Sequence, residues 1–270
     1  MIKLFRNIRK KLIVENNSVN RNTNYFKYAI GEIVLVVIGI LIALQINNWN
    51  SNRIQKQKES IYLANIKRDL KEQLTTIESQ IAYESYINKV ASPIIIYYKK
   101  NQSFKIDSLF TANIGNLTGR KTFVKNSPTY TELISSGNID IISNNIIKDE
   151  IIQYYQELER IELVINKNNN LFTDAVFIPE MLGLSEIQIG SEFKMDYLLN
   201  YIPTGKFPLI DLNEPRLKQI MEQQLENPKN ELKMINCINF RNFISFIHND
   251  LLSKQKEKTQ LLLVKLEIKN

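Results

Sequence analysis

Residues that form disulfides, bind metals or make turns are scarce in this chain, which has one cysteine, one histidine, eight glycines and seven prolines among 270 residues. The single Cys237 excludes an internal disulfide and a cysteine-based metal cluster. The single His248 cannot supply the usual multi-histidine transition-metal site. Few turn formers favour long helices over a many-stranded sandwich, which needs such residues every few positions. We therefore predict an all-α protein without a metal or cofactor, in which Cys237 is a small buried residue on a helix.

The sequence also lacks the common catalytic signatures. It contains no P-loop, dinucleotide-binding glycine pattern, HExxH motif, EF-hand loop or nucleophile elbow. The pair Gly115 and Gly119 is too weak a signal for phosphate binding, and His248 is predicted to be a hydrogen-bonded residue at the flank of a helical stripe. The spacing of Glu157, Glu159 and Glu162 is typical of a solvated helix face. We expect no catalytic residue, and hence no enzyme.

Positive charge is concentrated at the N-terminus. Residues 1–27 hold seven Lys or Arg residues against Glu15 alone, a net charge of +6, whereas the whole chain carries +7. A DNA-binding face would spread this charge over a folded surface, so nucleic acid is not an expected partner. A basic segment placed before an apolar stretch is instead typical of a contact with anionic lipid head groups.

A long apolar segment follows this basic tail. Ile33 to Leu44 is a run of 12 apolar residues, and the stretch from Ala29 to Trp49 has 21 residues. As a helix that stretch is about 31 Å long, close to the hydrocarbon thickness of a bilayer. Aromatic residues flank it, as interfacial belts require: Tyr25, Phe26, Tyr28 and Trp49. We predict a transmembrane helix at 28–50, since an isolated strand would leave its backbone groups unpaired in lipid.

Lys and Arg residues predict the orientation of this span. Seven precede it and five follow within about twenty residues, a bias that predicts a cytoplasmic N-terminus and a translocated C-terminal part. A cleaved signal peptide is the competing interpretation. The long charged region and the absence of a small-x-small cleavage site after Gln45 favour an uncleaved signal-anchor. The predicted location is the bacterial inner membrane, with the C-terminal domain in the periplasm.

Two features inside the span each have two interpretations. Glu32 lies about one turn inside the cytoplasmic boundary, where it is either a functional intramembrane acid or a side chain that reaches the interface and pairs with Lys27. We favour the second, because an acid near the edge costs much less than one at the bilayer centre. Gly39 and Ala43 place two small residues on one helix face, where another helix can approach closely or where their spacing is a coincidence.

Helices are predicted on both sides of the span. Residues 1–27 form a basic cytoplasmic segment with an amphipathic pattern at 2–13, followed by a polar connection at 16–24. After the span, a long amphipathic helix that runs without Pro or Gly as far as Pro93 continues the span or follows it. Its apolar stripe has spacings of mostly three, four or seven: Ile54, Ile61, Leu63, Ile66, Leu70, Leu74, Ile77, Ile81 and Ile87.

Capping residues mark the later helices. A short helix is predicted at 108–114, and another begins at Ser127-Pro128, or one register later through a capping box at Thr129 and Glu132, and ends at Gly137. Asn144 or Asn145 caps the next helix, whose stripe is Ile147, Ile151, Tyr155, Leu158, Ile161 and Ile165. The segment 172–215 is interrupted by Pro and Gly and predicts short helices and loops.

The last long helix is predicted to begin at Asn227-Pro228. Its expected stripe is Leu232, Ile235, Ile238, Phe240, Phe243, Ile247 and Leu251, with Leu262 and Leu266 further on. The whole pattern predicts a single N-terminal transmembrane helix followed, at 51–270, by an extracytoplasmic antiparallel helical bundle built on its first and last long helices.

Two segments resemble a family of uncharacterised single-pass membrane proteins common in flavobacteria and other Bacteroidetes. The span carries Gly31-Glu32 and ends in Gln45-Ile-Asn-Asn-Trp49, and a later segment reads Pro128-Thr-Tyr-Thr-Glu-Leu-Ile-Ser-Ser-Gly137. The likeness is close over the first fifty residues and good over 128–137. It implies a bacterial membrane location and an all-helical outer domain, and it carries no activity or catalytic residue.

These observations leave two hypotheses of function. The first is a non-enzymatic, membrane-anchored helical module that binds itself or another membrane or periplasmic protein. The second is an extracytoplasmic sensory or ligand-binding domain. Because only about 28 residues precede the span, such a sensor would signal through a separate partner.

Overall fold

The computed structural model describes the backbone of residues 21–187 and 214–268, with side chains from Ala29 onward. All regular structure in these ranges is helical, which confirms the predicted all-α class. The chain divides into two compact units, Met1–Lys58 and Glu59–Asn270. The amphipathic helix predicted at 2–13 and most of the interrupted region, at 188–213, lie outside the described residues.

Seven α-helices, a 3-10 turn and a π-helix make up the described part of the chain. Their bounds are α1 (Arg21–Asn101), α2 (Ser108–Leu117), α3 (Pro128–Ser135), the 3-10 turn (Asn138–Ile141), α4 (Asn145–Asn168), the π-helix (Asn169–Phe177), α5 (Ile178–Leu184), α6 (Pro215–Leu225) and α7 (Pro228–Ile268).

Helix α1 is longer at both ends than the sequence predicts. It begins at Arg21, inside the predicted polar connection, and it passes through Pro93 to Asn101. Proline removes one backbone donor from a helix and normally kinks or ends it. Here Val90, Ala91 and Ile94 are all buried in one apolar cluster, so packing on both sides of Pro93 holds the helix together.

The second unit is an antiparallel bundle, as predicted. Contacts between α1 and α7 run in opposite directions along the two helices: Glu78 pairs with Lys256, Glu84 with His248, and Asn88 with Asn242. Contacts between α4 and α7 do the same: Glu150 pairs with Lys265, Tyr154 with Thr259, and Asn168 with His248. Helices α1 and α4 therefore run parallel to each other and antiparallel to α7.

The interior consists of two apolar clusters separated along the helices by polar side chains. The first cluster joins residues 63–77 of α1 to α4 and to residues 252–266 of α7. The second joins residues 83–94 of α1 to α2, α5, α6 and residues 234–238 of α7. Between them lie the polar side chains that we call the polar layer: Gln80, Glu84, Asn168, Arg241, Ser245 and His248.

The stripe predicted for α7 is partly wrong. Leu232, Phe240 and Phe243 are about half exposed or more, whereas Met234, Cys237, Arg241 and His248 are buried. Hydrophobic spacing misassigns this face because the inward positions of α7 include charged and polar residues, each held by partners on other helices. The stripe of α4 is correct, since all six of its predicted residues are buried, and Cys237 is buried as expected.

Helix α3 begins at Pro128 as predicted, but its cap comes from another helix. Ser127 makes no side-chain capping bond. The backbone N–H of Thr129 instead donates to Oδ2 of Asp69, at 3.0 Å, on α1. Glu132 does not close a capping box; its carboxylate accepts a hydrogen bond from the Tyr62 hydroxyl, at 2.9 Å. Gly137, with φ of +69°, ends the segment in the left-handed conformation that favours glycine.

The two isoleucines of one α1 stripe allow a matched test of this packing. Ile66 is fully buried in the first apolar cluster, whereas Ile61 is 54% exposed. Replacing Ile66 with Ala should lower the free energy of unfolding by about 2–5 kcal/mol, because the lost methyl groups leave a cavity. Ile61→Ala should cost under about 1 kcal/mol. Urea unfolding of the full chain in detergent, followed by circular dichroism, measures both; equal losses would contradict this core.

Candidate functional site

The residues singled out in the span lie on one exposed helix. Ala29, Glu32, Gly39, Ala43 and Trp49 are all exposed positions of α1 in the first unit. In the described part of the chain, this is the one helix long and apolar enough to cross a membrane. Its most apolar window has a mean hydropathy of 2.6, and none of that window is buried.

Two local contacts define the surface of this segment. A Cβ atom added at Gly39 would meet no atom within 4 Å, so this face of the helix is open. At the other end, the guanidinium of Arg53 lies 5.7 Å from the ring centroid of Trp49, a cation–π distance. The same arginine donates to Oδ1 of Asn50. Trp49 therefore has a charged neighbour, as a residue at an apolar-to-polar boundary does.

The polar layer of the second unit is centred on Glu84 and His248. Oε1 of Glu84 accepts hydrogen bonds from Nε2 of Gln80, at 3.0 Å, and from Nδ1 of His248, at 3.1 Å. On the other side of the ring, Nδ2 of Asn168 lies 3.0 Å from Nε2 of His248. Because a carboxylate only accepts and an amide nitrogen only donates, the ring donates from Nδ1 and accepts at Nε2. One histidine thus joins α1, α4 and α7.

Electrostatics keep Glu84 ionised despite its burial. Desolvation alone would raise the pKa of its carboxyl group. The hydrogen bond from His248, together with the positive charge of Arg241, outweighs that effect and holds the pKa below its usual range. The charge on Glu84 also acts on Lys121, whose pKa is lowered by burial and partly restored by this carboxylate.

Arg241 is the largest fully buried side chain of the described residues, and its guanidinium makes four hydrogen bonds. Its Nη1 donates to Oγ of Ser245 at 2.8 Å, and its Nη2 donates to the carbonyl of Gly119 at 3.0 Å. Weaker contacts reach the carbonyl of Leu117 and the hydroxyl of Tyr83. The arginine therefore fixes the chain that leaves α2 onto α7, because Leu117 and Gly119 lie at the end of that helix.

The polar layer has the groups of an acid–base pair, and both of them are enclosed by the described helices. His248 is completely buried and Glu84 almost so. The prediction that His248 is a flank residue is therefore wrong in position: the ring lies in the centre of the bundle because Glu84 and Asn168 satisfy both of its nitrogens. In this arrangement the carboxylate and the imidazole bind three helices together.

A concave surface of the second unit forms an aromatic groove of about 730 Å³. Four phenylalanines from two elements line it: Phe172 of the π-helix, and Phe240, Phe243 and Phe246 of α7. Phe172 packs edge-to-face on Phe240 at 4.6 Å between centroids, and Phe240 stacks near Phe243 at 6.2 Å. The α7 rings are 48%, 53% and 63% exposed, in chain order.

Carboxamide side chains alternate with these rings. Asn88 of α1 and Asn236, Asn239 and Asn242 of α7 also line the groove. Nδ2 of Asn88 donates to both the carbonyl and Oδ1 of Asn242, at 2.8 and 2.9 Å, which ties α1 to α7 at the groove floor. Among the described residues that form this groove, none is charged.

The sequence contains a signal for this groove that hydropathy does not reveal. Residues 236–246 repeat Asn and Phe at intervals of three: Asn236, Asn239, Phe240, Asn242, Phe243 and Phe246. A spacing of three keeps such residues on one side of a helix over two turns. Core helices place aliphatic residues there, so an Asn and Phe pattern at this spacing is better explained by a surface.

Glu84 can be tested by replacing it with its neutral isostere. We expect Glu84→Gln to lower the free energy of unfolding at pH 7 by about 1.5–3 kcal/mol, the range for hydrogen bonds to charged groups. Because the folded pKa of Glu84 lies below the unfolded value, its contribution is complete above the ordinary glutamate pKa of about 4.3 and is lost as the pH falls through the folded value. Urea unfolding of both proteins at a series of pH values measures the difference.

The control for this variant is Glu257→Gln on the exposed face of α7. It removes the same charge from a solvated position and should leave both the stability and its pH dependence within about 0.5 kcal/mol of the original chain. A Glu84→Gln protein that is as stable as the control at pH 7 would contradict the role of this carboxylate.

Comparison with known families places the chain. The model of a family of unknown function, DUF6090, matches residues 32–184, more than half of the chain. The matched range begins at Glu32 in the apolar segment, includes the segment 128–137 and ends with α5. Comparisons with curated proteins and with solved structures gave no match. The chain therefore belongs to DUF6090, a family of unknown function.

Proposed function

We propose that this protein is anchored in the bacterial inner membrane by a single helix, with its N-terminus in the cytoplasm, and that its helical domain binds another membrane or periplasmic protein without catalysing a reaction. The observation that carries the proposal is the aromatic groove, because soluble domains rarely expose contiguous apolar surface without a binding role.

The exposed apolar helix supports the membrane anchor. The core helix of a water-soluble protein has a similar hydropathy but is mostly buried, whereas the most apolar window of α1 is not buried at all. A run of exposed Ile, Val and Leu side chains in water would be costly, at roughly 25 cal/mol for each Å². A bilayer removes that cost. The aromatic flanks and the resemblance to membrane proteins of Bacteroidetes support the same assignment.

The charge distribution supports the orientation. Seven basic residues precede the apolar run, and the five that follow are spread over Arg53 to Arg68. Segments rich in Lys and Arg stay on the cytoplasmic side. The tail of 1–27 is therefore assigned to the cytoplasm and the residues after 50 to the periplasm.

The enclosed polar layer supports a non-enzymatic role. Glu84 and His248 would be the natural acid–base pair, yet both are buried and both nitrogens of the ring are held, by Glu84 and Asn168. The open surface is instead lined mainly by phenyl rings and carboxamides, with Ser92 and Cys237 beside them, and burial raises the pKa of the Cys237 thiol. The groove is therefore suited to binding a ligand and not to catalysis.

Fusions to a reporter test the topology. Alkaline phosphatase, which is active only in the periplasm, should be active when fused after residue 60 and inactive when fused after residue 20, because only the first fusion includes the span. A reporter that is active only in the cytoplasm should give the opposite pattern. Cytoplasmic activity after residue 60 would contradict the orientation.

Site-specific photo-crosslinking tests the role of the groove. A photoreactive phenylalanine analogue at position 243 should form adducts with a partner in intact cells, and the adduct should be lost when Phe240 is replaced with Ala. The same analogue at Leu163, which is 65% exposed on α4, is the control. Equal adduct yields at positions 243 and 163 would contradict a binding role for the groove.

A further inference from the structure

The lining of the groove specifies the kind of ligand. We propose that the groove binds an extended, uncharged polypeptide segment, whose main chain pairs with the asparagine side chains and whose apolar side chains pack on the phenylalanines. This inference rests on the proposed binding function and specifies which kind of segment of the partner the groove contacts.

The asparagines provide the first argument. A carboxamide presents one C=O acceptor and two N–H donors, which are the same kinds of groups as the single C=O and single N–H of a peptide bond. In the part of the chain that the structure describes, the side chains of Asn236 and Asn239 have no hydrogen-bond partner, and both are exposed in the groove. Asn88 donates from Nδ2 to Asn242, so Asn88 keeps its acceptor Oδ1 and Asn242 keeps its Nδ2 donors.

A helical ligand would leave these amides without a use. In a helix the backbone N–H and C=O groups are paired internally, so only side chains remain for a partner. An extended segment has free N–H and C=O groups along both edges. The carboxamides along α7 are therefore chemically complementary to an extended main chain, which has unpaired donors and acceptors.

The rings provide the second argument, through their number and area. The three exposed phenylalanines of α7 offer on the order of 350 Å² of apolar surface, at roughly half of the area that such a side chain can bury. A stable complex between globular proteins buries about 800 Å² on each partner. The groove is therefore too small to hold a second copy of this chain as a stable dimer, and it suits a short segment with two or three apolar side chains.

The neutrality of the lining provides the third argument. The described residues that form the groove are Phe, Asn, Ser and Cys, without an acid or a base. A charged side chain of the ligand would lose water there and gain no counter-ion, which costs free energy. The expected segment therefore alternates large apolar residues with small uncharged ones.

A labelled peptide tests the proposal on the full chain in detergent. The probe is a capped fluorescent heptapeptide, Ser-Phe-Ser-Phe-Ser-Leu-Ser, and fluorescence anisotropy gives its Kd. Phe243→Ala should weaken binding about tenfold or more, as expected for a central aromatic contact. Asn236→Ala with Asn239→Ala should weaken it about three- to tenfold, since each lost hydrogen bond is worth about 1 kcal/mol.

Matched controls separate these effects from loss of folding. Leu163→Ala and Asn145→Ala remove an exposed apolar side chain and an exposed carboxamide from α4 and should leave the Kd unchanged within about twofold. Circular dichroism of every variant should match that of the original chain. Since the replaced groove residues are exposed, we expect all of these proteins to fold.

Variants of the peptide distinguish the occupant. Methylation of two backbone nitrogens removes donors and should weaken binding at least fivefold, and two Glu residues in place of Ser should do the same. The proposal is overturned if the methylated peptide binds equally well, if a helix-constrained peptide of the same composition binds more tightly, or if sedimentation shows a dimer that Phe243→Ala abolishes. Absence of peptide binding with crosslinking at position 243 intact overturns this inference and leaves the proposed function standing.

Discussion

Two opposite charges buried between α1 and α7 set the arrangement of the helical domain. Glu84 and Arg241 would each cost several kcal/mol if they lost their partners in the interior. Gln80 and Ser245 are partners on the same helix as the charge that each contacts, whereas His248 reaches the carboxylate from α7 and the guanidinium reaches two carbonyls at the end of α2. A shift of α7 by one residue would break the bonds that cross between elements. The polar layer therefore selects one register among the many that apolar packing alone would permit.

The polar layer explains which parts of the fold could be predicted from the sequence. Helix α4 places apolar residues at helical spacing, so its buried face follows from hydropathy. In α1 the buried Leu63, Ile66 and Leu70 follow in the same way, but the buried Asp69 and Gln73 do not. Helix α7 buries Arg241, Ser245 and His248 and exposes Phe240 and Phe243. Hydropathy therefore assigns the wrong side of this helix to the core. Burial of a charge depends on partners 120 to 160 residues away, and no local pattern contains that information.

Local sequence signals also explain only part of how the helices begin and end. Pro128 and Gly137 mark the limits of α3 and its exit turn, because proline and glycine act through their own backbone geometry. The cap itself comes from Asp69, about sixty residues earlier, whose buried carboxylate accepts from Thr129. Leu133 is fully buried at the centre of the same segment. The sequence 128–137 is thus better understood as a segment that docks on α1 than as an independently capped helix.

The π-helix at Asn169–Phe177 contributes to both the groove and the core of the bundle. Its i→i+5 bonds accommodate more residues per turn than an α-helix does, and its Phe172 lines the groove. Thr173 and Phe177 of the same segment are fully buried, and Phe177 belongs to the second apolar cluster. Deletion of one residue here would turn these core side chains together with Phe172, because each residue of a helix is rotated by about 100° from the one before it. The shape of the groove is therefore coupled to the stability of the bundle, and a sequence change at the π-helix acts on both at once.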